Sequence, residues 1–147
     1  MDIEAAKRAS LGQVLFKCAR LFNEQALQRL RERTGLPLRA AHTTLLPHLD
    51  FQGTRLTELA RRMGVSKQAV HQLVGEMEAM GALERIPDPE DGRARLIRFS
   101  EGGMKGMVVG LQVLDELRSH AEDEIGVERT ARLHADLLAL LAVLQAA

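Results

Sequence analysis

The chain has 147 residues, of which 46% are hydrophobic and 27% are charged, and its formal net charge is zero. This composition is typical of a globular protein of one domain, and no apolar segment reaches the roughly 20 residues that a membrane helix needs. Asp2 and Glu4 stand at the start without an apolar segment, so the sequence predicts no secretory signal and a cytoplasmic location. The single cysteine, Cys18, excludes an internal disulfide framework and a zinc site of paired cysteines.

The charges are unevenly distributed along the chain. Residues 1–73 carry 12 Lys and Arg against 6 Asp and Glu, whereas residues 74–147 carry 8 against 14. A neutral protein with a basic half is compatible with a local DNA-binding face, but the small excess predicts modest non-specific affinity for DNA.

Apolar residues at helical spacing predict one long helix over residues 5–33, which Gly35 and Pro37 would end. A shorter helix is predicted over residues 39–49, with a bend or an early stop at Pro47.

The next segment, Leu56–Gly81, reads as a helix, a tight turn and a second helix. Thr57 is the predicted N-cap of the first of these helices, Gly64 ends it, and Ser66 is the predicted N-cap of the second. Apolar residues occupy one face of the second helix, and its other face is polar. That polar face consists of Lys67, Gln68, His71, Gln72 and Gly75.

A hairpin is predicted to follow, with strands over residues 83–87 and 94–99 joined by a turn that ends at Arg93. A fifth helix is predicted from Glu101 to about Asp123, and a last helix from about Glu128. Glycines weaken the first turns of the fifth helix, so we expect either mobility there or close packing against a neighbour. These glycines are Gly102, Gly103, Gly106 and Gly110.

The first, fifth and last helices are too apolar to stand alone as exposed arms. The leucines between residues 137 and 144 alone would leave a large apolar patch in water. A homodimer in which these arms pack together is the expected solution.

The helix-turn-helix and the hairpin together resemble those of the MarR family of bacterial transcription regulators. Asp91 and Arg93 match the family's Asp-x-Arg wing tip, Gly103 matches a glycine at the start of the fifth helix, and Ser100 stands where threonine is common. The resemblance implies a mainly α fold with a small β-wing, that is, a winged helix-turn-helix with N- and C-terminal dimerisation helices. Residues 1–147 would form one domain, with a DNA-binding lobe at 36–100 and dimerisation arms at 1–34 and 101–147.

The function implied by the resemblance is a sequence-specific, ligand-responsive repressor that binds a near-palindromic operator on double-stranded DNA as a homodimer. The glutamines of the polar helix face are suited to adenine, and Ser66 and Lys67 can reach phosphate or guanine. Arg93 would enter the minor groove, held by a charge-assisted bond from Asp91. Three glutamates, Glu76, Glu78 and Glu84, would oppose phosphate. The residues predicted to contact DNA are Ser66, Lys67, Gln68, His71, Gln72, Asp91, Arg93 and Arg95.

Arg39 and His42 lie on the predicted second helix, which in this family borders a small-molecule pocket. An arginine and a histidine there would suit a small aromatic carboxylate or a phenolic anion, so both are candidate ligand-binding residues. The scattered histidines do not predict a metal site, and we expect neither a cofactor nor catalytic residues, since no motif of an enzyme is present.

Two alternatives remain open at this stage. The first is a winged helix that binds another protein and not DNA, which the zero net charge permits. The second is a thiol-based redox switch at Cys18. We expect Cys18 to be a buried structural residue, because it lies on an apolar helix face and the chain has no tyrosine to stabilise a thiolate.

Overall fold

The fold was examined in a computed structural model, which describes residues 1–147. Seven α-helices and a two-stranded antiparallel sheet form the chain. Their bounds are α1 Ile3–Ala9, α2 Leu11–Thr34, α3 Ala40–Leu45, α4 Leu56–Met63, α5 Lys67–Ala79, β1 Leu83–Pro87, β2 Arg95–Phe99, α6 Glu101–Ile125 and α7 Val127–Ala146.

The predicted first helix is in fact two helices, so that prediction was wrong. Ser10 adopts an extended backbone conformation between them, and its hydroxyl accepts a hydrogen bond from the amide of Gln13. The serine therefore caps α2, and it also ends α1. Gly35 ends α2 in the left-handed conformation, as its position in the sequence predicted.

The predicted second helix stops early at the proline, as expected. After α3, Leu46–His48 form a single turn of 3-10 helix with Pro47 in it. Thr57 is not the N-cap of α4, because Arg55 occupies that position without a side-chain capping bond. Gly64, with φ of 67°, ends α4, and the Ser66 hydroxyl caps α5 by accepting a bond from the amide of Ala69 at 3.1 Å.

The chain divides into two compact units, residues 1–110 and 111–147. The first unit contains the helix-turn-helix and the wing around one hydrophobic core. The side chains of this core that are almost fully buried are Leu45, Leu59, Val70, Val74, Met77 and Ile97. Ala69 of α5 is apolar but exposed, in contrast to the expectation that the apolar residues of this helix share one inward face.

The register of the wing decides which way its arginines face. Arg85 of β1 is opposite Ile97 of β2, whereas Glu84 is opposite Arg98. Successive strand residues point to opposite faces, so Arg85, Ile97 and Arg95 share the face that carries the buried core residue, and Arg98 lies on the other face. A backbone bridge between Thr54 and Ile97 joins the wing to the loop before α4.

The second unit consists of the end of α6 and the whole of α7. Thr130 is the only buried residue of α7. Large apolar side chains along this helix are exposed, namely Leu133, Leu137, Leu138, Leu141, Val143 and Leu144. Such a helix does not complete a core within one copy of the chain.

The exposed apolar surface also includes α2, where Cys18 is exposed and not buried as we expected. The apolar side chains around it remain open to water, since Val14, Leu21 and Phe22 are each more than two-fifths exposed. None of the helices has both the length and the apolar character that crossing a bilayer requires.

Candidate nucleic-acid interface

The outward face of α5 carries the predicted base-reading residues, and all of them are exposed. Lys67, Gln68, His71 and Gln72 follow the Ser66 cap at the spacing of one helix face. The Ser66 hydroxyl accepts a bond within the cap, so its own proton remains available for an acceptor outside the protein. The structure therefore brings these five side chains together on one polar surface.

Gly75 continues this surface one turn further along α5. A Cβ atom added there would meet nothing within 4 Å, so the packing of the protein does not require glycine at this position. Glycine in the middle of a helix costs about 1 kcal/mol relative to alanine. The open space at Gly75 would let a large neighbour approach the helix backbone.

The wing tip differs from the prediction in one contact. Asp91 does not hold the guanidinium of Arg93 by a charge-assisted bond; instead, its carboxylate accepts the backbone amide of Arg93 at 3.1 Å. This bond closes a local turn of the kind that Asp favours. The side chain of Arg93 is exposed at the tip, as is that of Arg95.

Asp88 anchors the wing to the helix-turn-helix, a role that sequence analysis missed. Its side chain is only 7% exposed, and its carboxylate accepts the amide of Glu90 at 2.9 Å and the Nε–H of Arg55 at 2.7 Å. The amide bond, and then the guanidinium, hold the pKa of Asp88 below its ordinary value. Asp88 is 33 residues from Arg55 in the sequence, so no local pattern could have joined them.

The three glutamates that were expected to oppose phosphate are each bound to arginine. Glu76 accepts bonds from Arg39. Glu78 accepts the Nε–H of Arg85 at 2.8 Å, and Glu84 accepts the Nε–H of Arg98 at 2.8 Å. Pairing with a cation offsets each negative charge, so these residues repel a polyanion less than the sequence alone suggested.

Arg39 and His42 meet at Glu76 of α5. His42 is 2% exposed, and its Nδ1 atom accepts the backbone amide of Arg39 at 3.0 Å. In that tautomer the Nε2 atom carries the proton, which it donates to the Glu76 carboxylate at 2.5 Å. This bond, followed by those from Arg39, lowers the pKa of Glu76. Ligand binding by Arg39 and His42 stays a prediction, and their present partner is this glutamate.

An apolar cavity of about 60 Å³ lies in the first unit, between α5 and the glycine-rich start of α6. A Cβ atom on Gly103 would lie 1.8 Å from the carbonyl oxygen of Ala82, so this glycine allows α6 to pack closely against the residue that precedes β1. At Gly106 an added Cβ would be in ordinary contact with Cδ1 of Leu36 at 3.7 Å, and at Gly110 it would meet nothing within 4 Å. The cavity is lined by Leu30, Leu36, Leu38, Leu46, Met77, Ala82, Phe99, Gly103, Gly106, Met107 and Gly110. None of these residues is charged.

Comparison with known proteins finds a family that the helix-turn-helix and the wing resemble. Residues 34–94 match the model of the MarR family. The transcriptional activatory protein BadR of Rhodopseudomonas palustris is 30% identical over 91 residues, which are 60% of this chain and 51% of BadR. The chain therefore spans about half the length of this curated relative.

MarR-family crystal structures have the same fold over nearly the whole chain. Apo MarR of Escherichia coli is 19% identical, with a TM-score of 0.70 over 90% of this chain and 97% of that one. The repressor CouR, bound to a 23-mer DNA duplex, is 19% identical, with a TM-score of 0.67 over 94% of each chain. The predicted MarR-family resemblance and the predicted winged-helix fold class are confirmed. The relatives are transcription regulators and not enzymes.

Proposed function

We propose that this MarR-family protein is a sequence-specific regulator of transcription that binds a near-palindromic operator as a homodimer in the cytoplasm. One observation carries the proposal: the polar face of α5 and the arginine-tipped wing are both exposed, while the neighbouring carboxylates are bound to arginines. A helix of this kind reads base edges in the major groove, and an extended basic residue fits the minor groove. The DNA-bound structure of CouR, which has the same fold, supports this assignment.

The exposed apolar side chains of α2 and α7 support the homodimer. Leu137, Leu138 and Leu141 are each at least 41% exposed along one helix. Burying such side chains contributes about 1.5–3 kcal/mol each, so a second copy that covers them would be strongly stabilised. A dimer would present two α5 helices and two wings, which matches an operator of two half-sites about one DNA turn apart.

Repression and ligand response are part of the same proposal. CouR is a repressor and BadR an activatory protein, so family membership alone leaves the sign of regulation to experiment. An effector shifts the DNA-binding equilibrium only if it binds two arrangements of the dimer with different affinity. A small aromatic or phenolic anion near Arg39 and His42 would have to displace Glu76. The apolar cavity beside α5, at about 60 Å³, would have to enlarge before it could take the ring of such a molecule, since a cavity that holds benzene measures about 150 Å³.

Selection of bound sequences from random DNA, followed by binding titrations on the selected duplex, tests the proposal. Gln72→Ala should reduce the preference for the selected duplex at least about fivefold per half-site, because a bidentate contact to adenine discriminates by about 1–3 kcal/mol. Gln28→Ala is the matched control, since both glutamines donate to a glutamate four residues later, and Gln28 is on α2.

The expected result includes an affinity that falls steeply with salt, because phosphate contacts release counterions. Selection that enriches no sequence, together with affinity independent of salt, would contradict DNA binding. If Gln72→Ala and Gln28→Ala lost the preference for the selected duplex to the same extent, the assignment of the base-reading face to α5 would be contradicted.

A further inference from the structure

We propose that the groove between the wing and the start of α4 binds one phosphodiester group of the DNA backbone, and that Arg85 and Arg95 make the contact. The proposal rests on the DNA-binding function proposed above and adds a site to it. Arg95 was predicted from sequence to contact DNA, whereas nothing in the sequence singled out Arg85.

The groove is formed where the inner face of the wing meets the first turn of α4. The strand register places Arg85 and Arg95 on that inner face, together with the buried Ile97. Arg55 and Thr57 line the opposite side. The groove measures about 290 Å³ and is open, so it has room for a phosphodiester group that remains attached to a long chain.

The charges in the groove favour an anion. Three guanidinium groups line it, and two of them are paired: Arg85 with Glu78 at 2.8 Å and Arg55 with Asp88 at 2.6 Å. No carboxylate lies within ion-pair distance of Arg95, and Asp91 and Glu90 act on Arg55 only at longer range. Guanidinium groups match the geometry of phosphate oxygens and can donate two bonds in parallel.

Arg85 also extends towards the reading helix. Its Nε–H is donated to Glu78, while its Nη2 atom lies 3.5 Å from Nδ1 of His71 on the exposed face of α5. The remaining N–H groups of the guanidinium are therefore close to both the base-reading surface and the groove. One side chain thus connects the helix proposed for the major groove with the wing proposed for the minor groove.

This position identifies the anion as a backbone phosphate. In a DNA duplex, a sugar-phosphate strand separates the major groove from the minor groove. A duplex that accepts α5 in one groove and Arg93 in the other must carry that strand past the surface between them, which is where Arg85 and Arg95 lie. Phosphate contacts at this place would fix the register of the protein on DNA without reading its sequence.

The test compares Arg85→Gln with Arg98→Gln in salt titrations of DNA affinity. The two arginines are matched, because both are on the wing and both donate Nε–H to a glutamate at 2.8 Å, but Arg98 is on the outer face. Arg85→Gln should weaken binding to selected and unrelated duplexes by the same factor, about tenfold. The slope of log affinity against log salt should become smaller by about 1.8, since two protomers lose one contact each. Arg98→Gln should leave the slope unchanged.

A second pair of variants excludes misfolding as the cause. Glu78→Gln removes the carboxylate beside Arg85 and should raise DNA affinity by about twofold to threefold, a gain that an unfolded protein does not give. Glu84→Gln, the matched change beside Arg98, should have no effect. Exchanging chloride for inorganic phosphate at constant ionic strength distinguishes a free anion from DNA as the ligand. Competition by phosphate that disappears in Arg85→Gln is the expected result, because phosphate and DNA would then occupy one groove. Phosphate that binds at Arg85 and leaves DNA affinity unchanged would assign the groove to a free anion and overturn the proposal.

The outcomes separate this inference from the proposed function. If the wild-type protein binds no duplex, the proposed function fails. If it binds DNA but Arg85→Gln and Arg98→Gln have the same salt slope as the wild type, DNA binding stands and the phosphate site is wrong.

Discussion

Replacing Gly75 by alanine should stabilise the protein and at the same time weaken its binding to DNA. The glycine lies within α5, its backbone is not in the left-handed region, and an added Cβ would meet no atom of the chain within 4 Å. Alanine should therefore gain about 0.9 kcal/mol from helix propensity. For a domain of this size, that gain raises Tm by about 3 °C.

The same methyl group would project from the face proposed to enter the major groove. If the duplex approaches the helix backbone at Gly75, the methyl group should cost about 1 kcal/mol per protomer through overpacking. Two recognition helices then lose about 2 kcal/mol, which corresponds to about 30-fold weaker binding. Opposite changes in stability and affinity are the signature of a glycine retained for an external partner.

The assay combines thermal unfolding with titration of a fluorescent operator duplex. Gly110→Ala is the control, because Gly110 is also in a helix and its added Cβ would also meet nothing within 4 Å, but it is on α6. This variant should be stabilised to a similar extent and should bind DNA as the wild type does. A Gly75→Ala protein that is more stable and binds the operator with unchanged affinity would refute the idea that the duplex lies against Gly75.

Three further changes test other features of the structure. Gly103→Ala should lower Tm by about 9 °C, since its Cβ would collide with a backbone oxygen and cost about 3 kcal/mol; unchanged Tm would contradict this packing. Arg61 and then Arg62 lower the pKa of Glu58 to about 2, so its stabilising contribution is present above about pH 4.5 and is lost as the pH falls towards 2. Between pH 7 and pH 3, the urea midpoint of Glu58→Gln should therefore fall less than that of the wild type. If the two midpoints fell equally, Glu58 would not contribute to stability in this way. Leu141→Glu should give monomers in light scattering, whereas Phe51→Glu, on a loop, should leave the dimer intact; a wild-type monomer at micromolar concentration would exclude the dimer.

Local signals in the sequence predicted most of the DNA-binding lobe. Gly64 and Ser66 mark the turn between α4 and α5 because a left-handed residue and a capping hydroxyl act on their immediate neighbours. The hairpin strands were likewise predicted to within one residue, since turn-forming residues separate them. Ser10 was missed because the apolar pattern on either side continues through it, and a single serine is a weak signal within such a pattern.

The contacts that organise the interface were beyond sequence analysis. Arg55 with Asp88 and Arg85 with Glu78 join different elements, and the fold alone determines that they meet. The exposure of Cys18 was missed for another reason: an apolar helix face predicts burial, but in one copy of the chain that face has no partner to cover it.

The cavity beside α5 has consequences for how such a protein can diversify. Its wall on the α5 side is Met77, next to Glu76, which binds Arg39 and His42. Enlarging the cavity at Met77 would remove support from α5, the helix that we propose to recognise the operator. Gly106 and Gly110 line the cavity on the α6 side; a Cβ added at Gly106 would lie 3.7 Å from Cδ1 of Leu36, and one added at Gly110 would meet nothing within 4 Å. Under the proposed function, substitutions on α6 would reshape the cavity for an effector without altering the outer face of α5, which we propose to read the operator.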